Sequence, residues 1–275
     1  MKAVHPKKKL GQHFLVDMSI ASRIADTVDS YSDLPLLEIG PGMGALTQHL
    51  LAKRRELRVV EVDKESIAYL NEHFPMLYSH IIEGDFLQMD LQALFAGQKF
   101  VLTGNYPYNI SSQIFFKLLD YREIIPCCTG MIQKEVAERL CSGPGNKNYG
   151  ILSILLQAWY NTEYLFTVPR TVFSPSPKVT SAVIRFTRND RISLGCNERL
   201  FKRTVKTTFN QRRKMMRGSL KPLLNQLDIE RGQQADPTRH TAFLQRPDFT
   251  QRPESLNVTD FIALTNDIDR ECSVE

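Results

Sequence analysis

No apolar run in this chain approaches the ~18–20 residues of a membrane-spanning helix. That excludes a helical membrane protein. The start, "MKAVHPKKKLGQHF", is basic but has no apolar segment of the secretory kind, so no export is expected. Cysteine is sparse. Cys127, Cys128, Cys141, Cys196 and Cys272 are odd in number, and none stands in C-x-x-C spacing. With no Cys/His cluster at zinc spacing either, a disulfide framework and a metal site are both set aside. Reduced thiols in a cytoplasm are the expectation. Two glycosylation sequons, Asn109-Ile110-Ser111 and Asn257-Val258-Thr259, then count as chance matches.

Acidic residues are missing from two stretches. Residues 199–221 hold nine Lys/Arg and no acid, and residues 1–16 hold four Lys and no acid. The net charge of +5 is modest, so this local clustering is the more informative feature. Two basic patches suit a polyanion partner, although a solvated helix face and a tail would look the same.

With 275 residues, 42% of them hydrophobic, the chain can build one large core and a smaller second unit. "LPLLEIG" (34–40), "LRVVEVD" (57–63), "SHIIEGD" (79–85) and "KFVLTGN" (99–105) each end in Gly, Asp or Asn. Helical patterns lie between them. This βαβα order predicts a parallel sheet covered on both faces. "SSQIFFKLLDY" opens with serines suited to capping a helix. "CCTGMIQ" (127–133) reads as a fifth strand and "KEVAERL" as a helix. "SGPGNKNYG" (142–150) reads as a loop before a buried helix, and "AVIRFTR" (182–188) as a last strand. Beyond it no strand-like run recurs, so a first domain of 1–188 and a helical second domain of 189–275 are expected.

Ligands of such sheets gather at the carboxyl ends of the strands. "EIGPGMGALT" (38–47) places Gly40, Gly42 and Gly44 between a strand and a helix. The spacing is G-x-G-x-G rather than the dinucleotide G-x-G-x-x-G, which disfavours a nicotinamide oxidoreductase. Glu38 adds negative charge before the turn. That suits a cationic ligand without phosphate, of which S-adenosylmethionine is an example. Glu61, 21 residues after Gly40, is placed to accept from ribose hydroxyls. Asp85 can accept from an adenine amine, and serves equally as a helix cap. In "GNYPYNIS" (104–111), Asn105 offers an amide oxygen, Pro107 has no N–H, and Tyr108 offers a flat ring. Those groups suit an exocyclic amine on a planar base, although Asn and Pro are also turn residues.

"GQHFL" (11–15), "EIGPGMGALT", "EVD", "GDFL", "GNYPYNIS", "FSPSPKVTSAVIRF" and "FNQRRKMMRGSL" follow in that order. As a set, they resemble the small-subunit ribosomal RNA adenine N6,N6-dimethyltransferases (the KsgA/RsmA family) over nearly the whole chain. The resemblance implies an α/β fold: a Rossmann-like seven-stranded class I methyltransferase sheet with a small all-helical C-terminal domain. It implies transfer of four methyls from S-adenosylmethionine to two adjacent adenosines near the 3′ end of small-subunit rRNA, within a pre-30S particle. Its cofactor contacts map to His13, Leu15, Gly40, Glu61, Asp85 and Asn105, with Gln12 nearby and Gly42 in the same turn as Gly40. Asn105, Pro107 and Tyr108 would form the catalytic motif. Tyr108 would stack on the target base, with Phe173 as a second stacking surface.

Arg212, Arg213 and Lys214 of "NQRRK" would hold RNA phosphates. His13 and Tyr106 stand where the family usually has Asn and Leu, and "SPSP" replaces a more continuous proline run. No general base and no metal are expected, and the protein is expected to act as a cytoplasmic monomer. Two alternatives stay open: an RNA-binding assembly factor without transfer, and a large-subunit rRNA dimethylase of the resistance type.

Overall fold

The computed structural model describes residues 4–7, 10–233, 236 and 238–273. Lys8 and Lys9 of the basic N-terminal stretch lie outside the described residues. The chain forms two compact units, 1–141 with 159–189 and 142–158 with 190–275.

The first unit runs β1 (Phe14–Leu15), α1 (Met18–Asp26), β2 (Leu36–Ile39), α2 (Thr47–Leu51), β3 (Leu57–Glu61), α3 (Lys64–His73) and β4 (Ile81–Glu83). It continues through β5 (Val101–Asn105), α4 (Ser111–Asp120), β6 (Cys127–Gln133) and α5 (Lys134–Leu140). After a gap it closes with β7 (Tyr160–Val168), β8 (Phe173–Ser174) and β9 (Ser181–Arg188). Seven strands form one sheet in the order β4-β3-β2-β5-β6-β9-β7. The first five are parallel, and β9 runs antiparallel to both its neighbours, β6 and β7. β1 pairs with β8 as a separate two-stranded ribbon.

Two elements depart from the sequence reading. β7 follows α6 (Ile151–Gln157) with no Gly or Pro break, and as an edge strand most of its residues are only half-buried. It therefore lacks the apolar run that marks a strand. α4 begins at Ser111 without a serine cap; instead the Ser111 hydroxyl donates to the Tyr108 carbonyl.

The second unit contains α6, α7 (Glu198–Asn210), α8 (Met216–Glu230), α9 (Thr241–Leu244) and α10 (Val258–Ser273). The segment 142–158 belongs here rather than with the sheet where the sequence reading put it. The Tyr149 ring meets Phe209 edge-on, and the Arg212 guanidinium donates to the Asn146 and Lys147 carbonyls. α7 carries its apolar residues on one face, burying Phe201, Val205 and Phe209. A polar clamp links α8 to α10. His240 Nε2 lies 2.8 Å from Asp228 Oδ2, and Nδ1 lies 2.9 Å from Glu271 Oε1. His240 and Asp228 are both buried.

Removing one partner of a buried polar pair leaves the other desolvated and unsatisfied. His240→Ala should therefore cost about 3 kcal/mol of stability. Urea unfolding measures this, and a loss under about 1 kcal/mol would show that the Asp228 carboxylate is adequately served by Arg239, 3.9 Å away.

Candidate active site

The strand order reverses between β2 and its neighbours β3 and β5, and a cavity of about 320 Å³ opens at the carboxyl ends of these strands. It is lined by Gln12, His13, Leu15, Gly40, Gly42, Glu61, Asp85, Asn105, Pro107 and Tyr108. These are the cofactor and motif residues read from the sequence. Phe173 is not among them. Its ring is buried in the core with Leu15, Ile20 and Val168, because β8 pairs with β1 and turns that side chain inward. The expected second stacking surface is therefore a core residue.

Glu61 ends β3 and is buried. Its Oε1 accepts from the Val62 and Asp63 N–H groups at 2.9 and 3.0 Å. Its Oε2 accepts from the Gly42 N–H at 3.1 Å. Burial raises its pKa against these three bonds. Gly42 has φ +56°, and a Cβ there would sit 3.1 Å from the Phe14 ring. The glycine turn after β2 is thus tied directly to the acid that ends β3.

Glu38 differs from its sequence reading. Its carboxylate accepts from Thr47 Oγ1 at 2.8 Å and is only 1% exposed. Burial, which outweighs the Thr47 bond, and the neighbouring Glu61 push it up to about 8. At neutral pH the carboxyl tends to keep its proton, so the negative charge expected before the turn is withheld. A cation in the cavity would draw that charge out. Asp85 does cap: its Oδ1 accepts from the Leu87 N–H at 2.9 Å, opening the 3-10 turn Phe86–Gln88. Its exposed carboxylate also borders the cavity, so the two roles coexist.

The Asn105 amide Nδ2 donates to the His13 carbonyl at 3.2 Å, which leaves Oδ1 as an acceptor. The Pro107 carbonyl already accepts from Ile110, whereas among the described residues no donor reaches the Tyr106 carbonyl. The Tyr106 ring, which stands where the family usually has Leu, is buried. Its hydroxyl donates to the Thr129 carbonyl at 2.9 Å, and its ring meets Phe115 edge-on. Room for it comes from Gly130, where a Cβ would lie 2.7 Å from the ring. Tyr108 stays at the cavity. Its hydroxyl shares a 2.5 Å hydrogen bond with Ser181 Oγ, and the His13 ring stacks on it with centroids 5.8 Å apart. His13 Nδ1 in turn contacts the Pro175 carbonyl at 2.9 Å.

Sequence reasoning missed Ser181 and Asp63. Asp63 gathers the N-terminal segment: its carboxylate accepts from Lys7 Nζ at 2.5 Å and Gln12 Nε2 at 2.9 Å. Burial would raise this carboxyl, but Lys7 and Gln12 outweigh it and hold it below the ordinary range. The Gln12 amide and the Lys7 ammonium are therefore engaged within the protein. The signal was present as the last letter of "EVD". Arg212 is likewise engaged: Nε meets Glu254 at 2.5 Å while its other nitrogens bond backbone carbonyls. It is structural. Arg213 and Lys214 are exposed and, among the described residues, have no ion-pair partner.

Residues 4–236 match the family model described as ribosomal RNA adenine dimethylase. The chain belongs to that family. It is 62% identical over 269 residues to the ribosomal RNA small subunit methyltransferase A of Phocaeicola vulgatus, covering 98% of this chain and 91% of the relative. The protein of that name from Bacteroides thetaiotaomicron is 61% identical over 269 residues, covering 98% and 96%. Among solved structures, a dimethyladenosine transferase from Plasmodium falciparum superposes with a TM-score of 0.78 at 26% identity, covering 94% of this chain and 98% of the other. The 23S rRNA methyltransferase ErmE shares the fold, with a TM-score of 0.65 at 23% identity, covering 93% and 99%. This dimethylase family uses S-adenosylmethionine, and the cavity suits it: a buried carboxylate ends β3, a second carboxylate borders the cavity, and Glu38 is poised to ionise beside a cation.

The Glu38 shift fixes the sign of a pH effect. Its folded value, about 8, lies above the ordinary carboxylate range, so between the two the folded state holds a proton that the unfolded state has lost. That contribution is fully present below about pH 4.5 and is lost as pH rises through about 8. Relative to Glu38→Gln, the ligand-free protein should lose stability across this window by about 1.4 kcal/mol per pH unit. Denaturation midpoints of both proteins from pH 5 to 8 measure the difference, and parallel curves would refute it.

Proposed function

We propose that this enzyme dimethylates the N6 amines of two adjacent adenosines in the 3′-terminal hairpin of small-subunit (16S) rRNA. S-adenosylmethionine is the donor, and the substrate is a pre-30S particle met by a cytoplasmic monomer. The observation that carries the reading is the pair of acceptors at the end of β5. Asn105, Tyr106 and Tyr108 line the same cavity, and with its Nδ2 anchored on the His13 carbonyl Asn105 keeps Oδ1 as an acceptor. No helix of the described residues is long and apolar enough to cross a membrane.

When bound, S-adenosylmethionine supplies an electrophilic methyl. The remaining work falls to the chain. Two acceptors take the two hydrogens of an adenine amine and favour a pyramidal nitrogen, whose lone pair is no longer spread into the ring. Tyr108 holds the base plane; stacking of this kind is worth about 1–3 kcal/mol and offsets part of the cost of unstacking the target. The His13 ring occupies one face of Tyr108, so the base meets the other. Ser181 holds the Tyr108 hydroxyl as a positioning residue. The nitrogen becomes acidic only as its new bond forms, so Asn105 needs to orient the amine, not to deprotonate it. Positioning of this kind can be worth about 7–11 kcal/mol of barrier. Arg213, Lys214 and the exposed Lys206, Arg217 and Lys221 face phosphates.

The small-subunit assignment is favoured over the large-subunit one by the names of relatives about 60% identical over nearly the full chain. The intact set of Glu61, Asp85 and Asn105 argues against an assembly factor devoid of transfer.

Labelled S-adenosylmethionine incubated with unmodified small subunits should place label on two adjacent adenosines near the 3′ end. Asn105→Ala should abolish transfer while leaving the fold intact. Label confined to large-subunit RNA would overturn the substrate, and normal turnover by the variant would overturn the amine site. For RNA binding, Arg213→Gln and Lys214→Gln should each flatten the plot of log affinity against log salt by about one unit of slope. Arg212→Gln should instead lower the unfolding midpoint; equal slopes for all three variants would remove the distinction drawn from the Glu254 pair.

A further inference from the structure

Lys117, on α4, takes no part in the chemistry above, yet it is half-buried and carries several contacts. Its ammonium donates to the Leu87 carbonyl at 3.0 Å and to the Met89 carbonyl. It lies 5.4 Å from the centroid of the Phe86 ring and 5.5 Å from that of Tyr121. Asp85, Asp90 and Asp120 surround it with negative charge, against a burial cost that lowers its pKa.

These contacts fall on one segment. Gly84 to Leu87 line the cavity, and within them the Asp85 carboxylate accepts from the Leu87 N–H. Its other anchors are the Gly84 N–H on the Glu61 carbonyl and the buried Phe86 ring, and neither takes up the Leu87 and Met89 carbonyls that Lys117 holds. The segment follows β4, a three-residue strand at the sheet edge that pairs only with β3. Its 3-10 turn, Phe86–Gln88, ends in carbonyls with no helical partner, and Lys117 satisfies them as a cation at a helix C-terminus does. The same helix, α4, starts at Ser111, directly after the amine-binding motif.

We infer that Lys117 is a positioning residue for cofactor recognition: by clamping the turn after β4 it fixes the Asp85 carboxylate against the adenine amine. The inference rests on the reading of Asp85 as the acceptor for that amine. A clamp of this kind acts on the choice of base, not on binding in general. The probe is therefore a pair of ligands, S-adenosylhomocysteine and S-inosylhomocysteine, in which a carbonyl replaces the 6-amine. Neither requires turnover, and binding is read by calorimetry.

Wild type should prefer the adenosyl ligand. Lys117→Met keeps the stem that packs on Phe86 and Tyr121 but removes the donors. It should weaken the adenosyl ligand by about tenfold, the size of one charge-assisted hydrogen-bond contribution, and leave the inosyl ligand nearly unchanged. The preference then collapses. Lys117→Arg keeps a cation and donors and should retain it. The ratio is read within each variant, so a partly unfolded fraction lowers both affinities alike and cancels. Equal weakening of both ligands by Lys117→Met would reduce Lys117 to a staple of the fold and overturn the inference. So would unchanged binding, or an arginine variant that behaves like methionine. A wild type without preference would instead remove the Asp85 reading itself, before any substitution is made.

Discussion

A parallel sheet can bring distant parts of a chain together at one edge, because all its strands end on the same side. Here that constraint governs the arrangement of the site. The Gly40 turn, Glu61, Asp85 and Asn105 follow four different strands and converge because those strands run parallel with β2 in the middle. The glycine turn is then fixed by the Gly42 N–H on Glu61, and Asn105 by the His13 carbonyl. If any of the strands ran the other way, its functional residue would lie at the opposite edge.

The N-terminal segment completes the cavity from outside the sheet. It is held at its base by Asp63, which takes both Lys7 and Gln12, and at its tip by His13, whose backbone, ring face and ring nitrogen each find a partner. Asp63 also caps α3, so the anchor point is itself rigid. The residues that enclose the cavity on this side are therefore set by charge and hydrogen bonding as well as by the packing of Phe14 and Leu15.

Much of this was legible in the sequence because strand ends announce themselves. A short apolar run closed by Gly, Asp or Asn gives the position of a side chain without any knowledge of its neighbours. Glu61 and Asn105 are of that kind. What stayed hidden depends on partners far along the chain. Arg212 and Arg213 are adjacent and identical in type, yet one is consumed by Glu254 and two carbonyls of the 142–150 loop while the other is exposed. Glu38 reads as a charge, and only its burial against Thr47 and Glu61 makes it a proton store. Phe173 looks like a ring near a substrate until its pairing with β1 turns it into the core. β7 lacks an apolar run because it is an edge strand, and no single window of the sequence records which strand will be at the edge.

The buried Tyr106 gives the motif an unusual mechanical footing. Its N–H is held by the Met131 carbonyl and its hydroxyl by the Thr129 carbonyl, while the ring lies against bare glycine on β6. The carbonyl proposed as the second acceptor for the amine belongs to this same residue. Catalytic loops commonly gain their reach by being loosely tethered, at the cost of positional scatter. Here the proposed acceptor stands on a side chain driven into the interior like a nail, so its position carries the tolerance of a hydrophobic core rather than that of a surface loop.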